Sequence, residues 1–348
     1  MKFSPSFGSE VAITYDDVCL VPQFSKVHSR NDVNLSGGLL RLKTPLISSN
    51  MDSVTESLMA IKMHEQGGLG IIHRFMDFEK LKQEVDTFYT AIPNAFKHLA
   101  LSVGVGENSY KILDYMLEVA NIICIDIAHG HSQRVLDLIK AIRDKTSSHF
   151  IIAGNVATPE GTEALAKAGA NIIKIGIGPG SMCTTRVITG HGIPQLSVID
   201  KCSRVADEYG VETIADGGIR NSGDIAKALA AGADYVMLGS LLAGTDESPG
   251  KVIFVDEQPY KEYRGMASFN AQKAINKEES KIVPEGASKL KKCKGPMEDI
   301  IFQLSGGLRS ALSYSGSHNL EEFRQKAQFV RITSASKAEG EPHGLREG

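Results

Sequence analysis

Eight short, nearly unbroken apolar runs dominate this chain: "TPLISSN", "GGLGIIH", "LALSVGV", "NIICIDIA", "HFIIAGNV", "NIIKIGIG", "VETIADGG" and "DYVMLGS". Strands with one wet face alternate apolar and polar residues, whereas strands covered on both faces read as continuous Val, Ile and Leu. The runs therefore predict a parallel sheet buried on both sides. Segments of helical period separate them, among them "SVTESLMAIKMHEQG", "NSYKILDYMLEVA" and "TPEGTEALAKAGA", the last with Thr158 placed to cap a helix and Pro159 at its first position. The stretch "EALAKAGANIIKIGIG" recurs as "KALAAGADYVMLGS", aligning Gly169 with Gly232 two strand–helix units later. Helix, glycine stop and buried strand are reused, although Ala-Gly-Ala is also a common way for any helix to enter a strand. A doubly wound open sheet is the rival arrangement. Eight strand–helix units point instead to a closed (β/α)8 TIM barrel, whose reactive loops lie at the C-terminal ends of the strands. The expected organisation is one barrel domain over residues 1–333, with a mobile flap after the eighth strand at about 250–295 and a flexible polar tail over 334–348.

The balance of 38 basic against 41 acidic residues leaves a net charge of −3. No bulk field of that size draws a chain to nucleic acid or to an anionic membrane. Five cysteines (Cys19, Cys124, Cys183, Cys202 and Cys293) lie far apart, odd in number and without a C-x-x-C pair, which argues against a disulfide framework and against a zinc cluster. That usage fits a reducing compartment. With no apolar stretch of roughly 18 residues and no signal-peptide core in "MKFSPSFGSE", the expected location is the cytoplasm.

Polar residues gather where the runs end, as a barrel enzyme requires: Ser48-Ser49-Asn50, His73, Asp126 with His129, Asn155, Asp216-Gly217-Gly218 and Gly239-Ser240. Cys183 stands in "GIGPGSMCTTR", where Gly176, Gly178 and Gly180 let backbone approach a ligand or ion closely. A thiol on such a loop suits a nucleophile, whereas the other four cysteines read as small buried hydrophobes. "ADGGIRNSGD" and "GSLLAGT" follow the seventh and eighth runs, where barrels often hold phosphate on backbone N–H groups while an adjacent carboxylate takes sugar hydroxyls. Together they read as a ribose phosphate site. "IDIAHGHS" offers His129 and His131 without a third ligand, so Asp126 reads as a hydrogen-bonding carboxylate rather than part of a metal site. "GVGENS" lacks the third glycine of a dinucleotide fingerprint and reads as a turn. "KLKKCK", residues 289–294, has no interleaved aromatics and reads as the solvated edge of a lid rather than a nucleic-acid patch.

Over nearly its whole length, from "YDDVCLVP" through the cysteine loop, "ADGGIRNSGD", "GSLLAGT" and "YRGM" to "GGLRSALSY" and "AQFVRIT", the chain resembles the IMP dehydrogenase/GMP reductase family. The resemblance implies a (β/α)8 barrel that assembles as a homotetramer, acts on a purine nucleoside monophosphate, and uses a nicotinamide cofactor and a monovalent cation, potassium. It implies Cys183 as the nucleophile at purine C2. Ser49, Ser181, Asp216, Gly218, Gly239, Ser240, Tyr263, Gly265 and Met266 would bind the nucleotide, while Asp126, Asn155 and Arg74 would face the cofactor. The carbonyls of Gly178, Gly180 and Cys183 would surround the cation.

The family's two reactions share a covalent thioimidate at C2. The dehydrogenase oxidises IMP to XMP with NAD and hydrolyses that adduct with an activated water; the reductase releases ammonia from GMP and takes a hydride from NADPH. Dehydrogenases of the family carry an Arg-Tyr pair for water activation between "YRGM" and "PEG", but here the stretch reads "ASFNAQKAINKEESKIV", shorter and with neither residue. Thr185 and Glu285 match the pair that handles the proton of ammonia release in reductases. The regulatory domains that dehydrogenases insert would fall near residues 76–98, where only "MDFEKLKQEVDTFYTAIPNAFKH" occurs, and their absence counts toward the reductase. "NMDSVTESLMAI", "HEQGGLGIIH", "DIAHGHS" and "LLAGTDESPG" look more like the dehydrogenase. The flap outweighs the scaffold, because a hydrolytic base must be present to act. GMP reductase is the expectation; the alternatives are an IMP dehydrogenase without the regulatory pair and a non-catalytic purine-nucleotide sensor. Arg74 occupies a position where reductases carry a lysine, which leaves NADPH against NADH open.

Overall fold

All eight apolar runs form strands, and the strands close on themselves. In the computed structural model, which describes residues 4–8, 10–266 and 286–340, a short outer strand β1 (Val18–Leu20) precedes β2 (Leu46–Ser48), β3 (Leu69–Ile72), β4 (Ala100–Val103), β5 (Ile122–Asp126), β6 (Phe150–Val156), β7 (Ile172–Ile175), β8 (Glu212–Asp216) and β9 (Tyr235–Leu238). Strands β2 to β9 pair in sequence order, and β9 returns to β2 in parallel to complete a closed barrel. This is the (β/α)8 fold that the unbroken runs predict.

Alternation along each strand decides which of two cores a side chain joins. Ile47, Ile71, Ile122, Cys124, Ile152, Ile172 and Ile214 fill the barrel. Their neighbours, such as Ile123, Ile151, Ile173 and Ala215, pack outward against the helices. Local rules support the same arrangement. Thr158 caps the helix Pro159–Ala168 by accepting from Gly161 N. The two glycines of the internal echo have the same left-handed backbone, φ 113° at Gly169 and 116° at Gly232, and their N–H groups donate to Ala166 O and Leu229 O. Only glycine takes that conformation without strain, so it stops both helices at the same point before a buried strand.

Beyond β9, strands β10 (Ile253–Val255), β11 (Gln258–Arg264) and β12 (Ser288–Lys292) form an antiparallel sheet, where the sequence suggests an irregular flap. The alternation is there but is carried by polar residues: Lys261, 7% exposed, donates to the carbonyls of Thr245, Asp246 and Ser248, and Tyr263 is buried on the same face. Residues 267–285, with Glu285, lie outside the described residues. β13 (Phe329–Arg331) pairs with β1, tying the end of the chain to its start. The expected polar tail opens with a helix, Ser334–Glu339, whose Lys337 reaches Asp16 at 2.8 Å; residues 341–348 are again outside the described set. No helix among the described residues is long and apolar enough to cross a membrane.

Candidate functional site

The C-terminal ends of the barrel strands open onto a cavity of about 870 Å³. Ser49, Arg74, Asp126, Asn155, Gly178, Gly180, Ser181, Cys183, Thr185, Asp216, Gly218, Gly239, Ser240, Tyr263, Gly265 and Met266 all line it. Glu285 falls outside the described residues, and of the strand-end polar residues Ser48, His73 and His129 are not in the lining, Ser48 and His73 being buried.

The floor of the cavity is an ion-pair layer at the top of the barrel interior. Lys174 interrupts the isoleucine run of β7 and, by alternation, points inward with Ile172. Its side chain is 2% exposed, and its Nζ lies 2.6 Å from Asp126 Oδ1 and 3.2 Å from Asp216 Oδ2. Gly154 makes room for it: a Cβ added there would lie 2.7 Å from Lys174 Cβ. Burial alone would push the Asp126 carboxyl up, but the Lys174 ammonium overrides it and holds Asp126 below its ordinary value. Burial likewise works against the charged lysine, and the two carboxylates overcome it, raising Lys174 above its ordinary value. Asn155 Nδ2 donates to Asp216 Oδ2 at 2.9 Å and to Gly176 O at 2.8 Å, so the layer connects β5, β6, β7 and β8. Arg74, its charged form disfavoured by burial, stacks on Phe75 at 4.3 Å and donates to Asp126 O.

Above this layer runs the cysteine loop. Gly176 has φ +142°, and a Cβ there would sit 2.1 Å from Asp216 O, so the loop can lie this close to β8 only with glycine. Cys183 N donates to Gly180 O at 3.0 Å. The turn leaves the thiol exposed, with Sγ donating to Thr185 Oγ1 at 3.2 Å. Cys183 also forms an antiparallel bridge with Gly286, and Ala287 N donates to Met182 O at 2.9 Å. The residue that follows Glu285 is therefore held against the cysteine.

The opposite wall is built by β11. Tyr263 Oη lies 3.2 Å from Ser181 Oγ. A Cβ added at Gly239 would be 3.1 Å from Tyr263 Oη and 3.7 Å from Ser49 Cβ. Arg264 holds the strand to the barrel through Asp52, with Nε donating to Oδ2 at 2.9 Å, and Met266 Sδ accepts from Asp52 N.

The three lysines of the lining escape the sequence reading. Lys174 carried a visible signal, a charge inside "NIIKI". Lys291 and Lys294 belong to "KLKKCK", where Lys289, Leu290, Lys292 and Lys294 are exposed as a solvated edge would be, while Lys291, half-buried on β12, and Lys294, two residues beyond that strand, also line the cavity wall. The cysteines also need correction. Cys124 and Cys202 are buried, and burial pushes both thiols up to about 12. Cys19 is exposed and Cys293 half-buried, because both sit at the periphery, on or beside small sheets that lack a helical layer.

A closed (β/α)8 barrel with an exposed thiol on the loop after its sixth strand, above a buried lysine–carboxylate layer, has the architecture of a barrel enzyme. The chain belongs to the IMP dehydrogenase/GMP reductase family, a family of oxidoreductases: the profile described as "IMP dehydrogenase / GMP reductase domain" matches residues 12–343. The chain is 41% identical to an inosine-5'-monophosphate dehydrogenase of Cryptosporidium parvum, over 96% of this chain and 95% of that protein. Identity is 36% to the corresponding dehydrogenase of Bacillus subtilis (strain 168), over 97% and 96%, and 33% to a GMP reductase of Leishmania donovani, over 96% and 97%. The Bacillus and Leishmania alignments run over 472 and 476 positions, the Cryptosporidium one over 382. A dehydrogenase and a reductase thus both carry long segments that this chain lacks. Length does not sort the two activities, and the missing insert loses the weight given to it above.

Proposed function

We propose that the chain is a GMP reductase, converting GMP to IMP and ammonia with NADPH. The observation that carries this reading is the stretch between Met266 and Gly286, which contains no arginine and no tyrosine and so lacks the pair that would activate water against a thioimidate. In this reading the Cys183 sulfur bonds to purine C2 as the bond from C2 to the amino nitrogen breaks. The departing ammonia takes its proton through Thr185, next to the thiol, and Glu285, adjacent in sequence to the bridged Gly286. Reduced nicotinamide, when bound, supplies the hydride to C2, and departure of sulfur returns the free thiol. Asp216 holds ribose hydroxyls; Ser181, Gly218, Gly239, Ser240 and Tyr263 surround the phosphate; Ser49, Gly265 and Met266 complete the nucleotide wall. Arg74, Asp126 and Asn155 face the nicotinamide. A potassium ion on the carbonyls of Gly178, Gly180 and Cys183, and a homotetrameric assembly, belong to the same reading.

Purified protein incubated with potassium and either GMP plus NADPH or IMP plus NAD tests it through nicotinamide absorbance. The expected result is NADPH oxidation with ammonia and IMP formed in the first mixture, and little XMP in the second. The names of the relatives favour a second reading, an IMP dehydrogenase; sustained XMP production without GMP-dependent NADPH oxidation would establish it and overturn the first. Glu285→Gln separates chemistry from binding. It is expected to lower turnover of GMP by roughly 10²- to 10⁴-fold, the usual contribution of a general acid–base group, with GMP affinity little changed. A fall in affinity with unchanged saturated turnover would reassign Glu285 to binding.

A further inference from the structure

Lys291 and Lys294 both reach the turn that follows β9. Lys294 Nζ donates to Ser240 O at 2.9 Å and to Leu241 O at 2.8 Å. Lys291 Nζ donates to Ser240 Oγ at 2.8 Å and lies 5.8 Å from the centre of the Tyr263 ring. Among the described residues neither ammonium meets a carboxylate; their partners are a hydroxyl, two carbonyls and a ring. Burial and then the charge of Lys291 push Lys294 down to about 8, and Lys291 is lowered as well, by burial and then Lys289. Lys291 is half-buried and Lys294 exposed, and two neighbouring cations without a counter-ion repel each other until an anion completes the group. The turn they hold carries Gly239 and Ser240, and both lysines face the same cavity as Cys183.

We infer, on the reading above that the substrate is a purine nucleoside monophosphate, that Lys291 and Lys294 form the cationic wall of its phosphate subsite. Lys294 clamps the Ser240–Leu241 turn through its carbonyls. Lys291 moves from Ser240 Oγ to a phosphate oxygen, and the serine hydroxyl, relieved of that bond, donates its own hydrogen to the same phosphate. A phosphate monoester is close to a dianion at neutral pH, and charge-assisted bonds to it are stronger than neutral ones.

The test is calorimetric titration of the full chain, as wild type, Lys291→Gln, Lys291→Arg and Lys294→Gln, with GMP, IMP, guanosine and inorganic phosphate. Lys291→Gln is expected to weaken GMP and IMP by about 10- to 100-fold and to leave guanosine unchanged, while Lys291→Arg retains most of the affinity. Lys294→Gln should show the same selective loss with a lower melting temperature, since the turn is also released. Inorganic phosphate should compete with GMP in the wild type and cease to compete in Lys291→Gln. Unchanged GMP affinity in Lys291→Gln, or equal losses for GMP and guanosine, would overturn the assignment. So would phosphate binding alongside saturating GMP, which would make the lysines a separate anion site. Because IMP carries the same phosphate, a protein that turns over only IMP would overturn the reductase reading and leave the lysine assignment to be decided by the IMP titration.

Discussion

Cys183→Ala is expected to abolish turnover of purine nucleoside monophosphate while leaving its binding nearly intact. The thiol is the exposed sulfur on the cavity wall. The groups proposed to hold ribose and phosphate, Asp216, Gly239, Ser240 and Tyr263, stand on β8, β9 and β11 or the turns after them, and none depends on the sulfur. Removal of a covalent nucleophile typically costs on the order of 10⁶-fold in turnover; removal of one small exposed side chain costs binding little. Steady-state assay beside a nucleotide titration separates the two. Sustained turnover by the variant would eliminate the covalent route for either family reaction.

The second large effect is expected from Lys174→Met. The substitution keeps the bulk of the side chain and removes the ammonium, leaving Asp126 and Asp216 without the cation they share. Breaking a buried ion pair by deleting one partner typically destabilises by about 3–5 kcal/mol, and urea unfolding at pH 7 should show a loss of that order. The pH dependence gives the electrostatic signature. In the wild type Asp126 titrates below its ordinary value, so its contribution is present above the unfolded carboxylate value and is lost as pH falls through the folded one. In the variant only Arg74 and Asn50 still oppose burial at Asp126, so its folded value rises, the penalty is largest at neutral pH, and it shrinks as acid protonates Asp126. The gap between variant and wild type should therefore narrow toward about pH 4. A gap constant with pH would mean that the lysine acts through packing and not through charge.

The barrel was legible because burial on both faces removes the polar half of each strand's pattern, and eight such runs leave few closed alternatives. The glycines at 169 and 232 were equally readable, since a left-handed helix stop demands one residue type. The site was legible where chemistry must follow a strand end, as at Asp126, Cys183, Asp216 and Ser240. What failed was the edge sheet. In "QPYKEYR" the buried positions are Lys261 and Tyr263, and in "SKLKK" the one half-buried position is Lys291; their inward placement depends on carbonyls and hydroxyls supplied from distant parts of the chain. Periodicity of hydrophobicity cannot register a strand whose buried face is polar. Lys174 was overlooked for the opposite reason: one charge in an isoleucine run was read as part of the run, although only paired charges survive in such a place.

The stretch between Met266 and Gly286 leaves and rejoins the barrel at a single point. Gly265 N donates to Ala287 O at 2.9 Å, Arg264 is fastened to Asp52, and Gly286 is bridged to Cys183. A segment with such joined ends is a cassette. Its closing entropy grows by only ~0.6 kcal/mol for each doubling of length, and among the described residues the Lys174 layer is held by Asp126, Asn155 and Asp216 of the barrel. Evolution can therefore rewrite this one insert, lengthening or shortening it and trading one proton-handling set for another, while the scaffold drifts on its own schedule. A scaffold 41% identical to a protein named a dehydrogenase can in this way carry an insert with neither arginine nor tyrosine, because the joined ends isolate the insert's sequence from the barrel's.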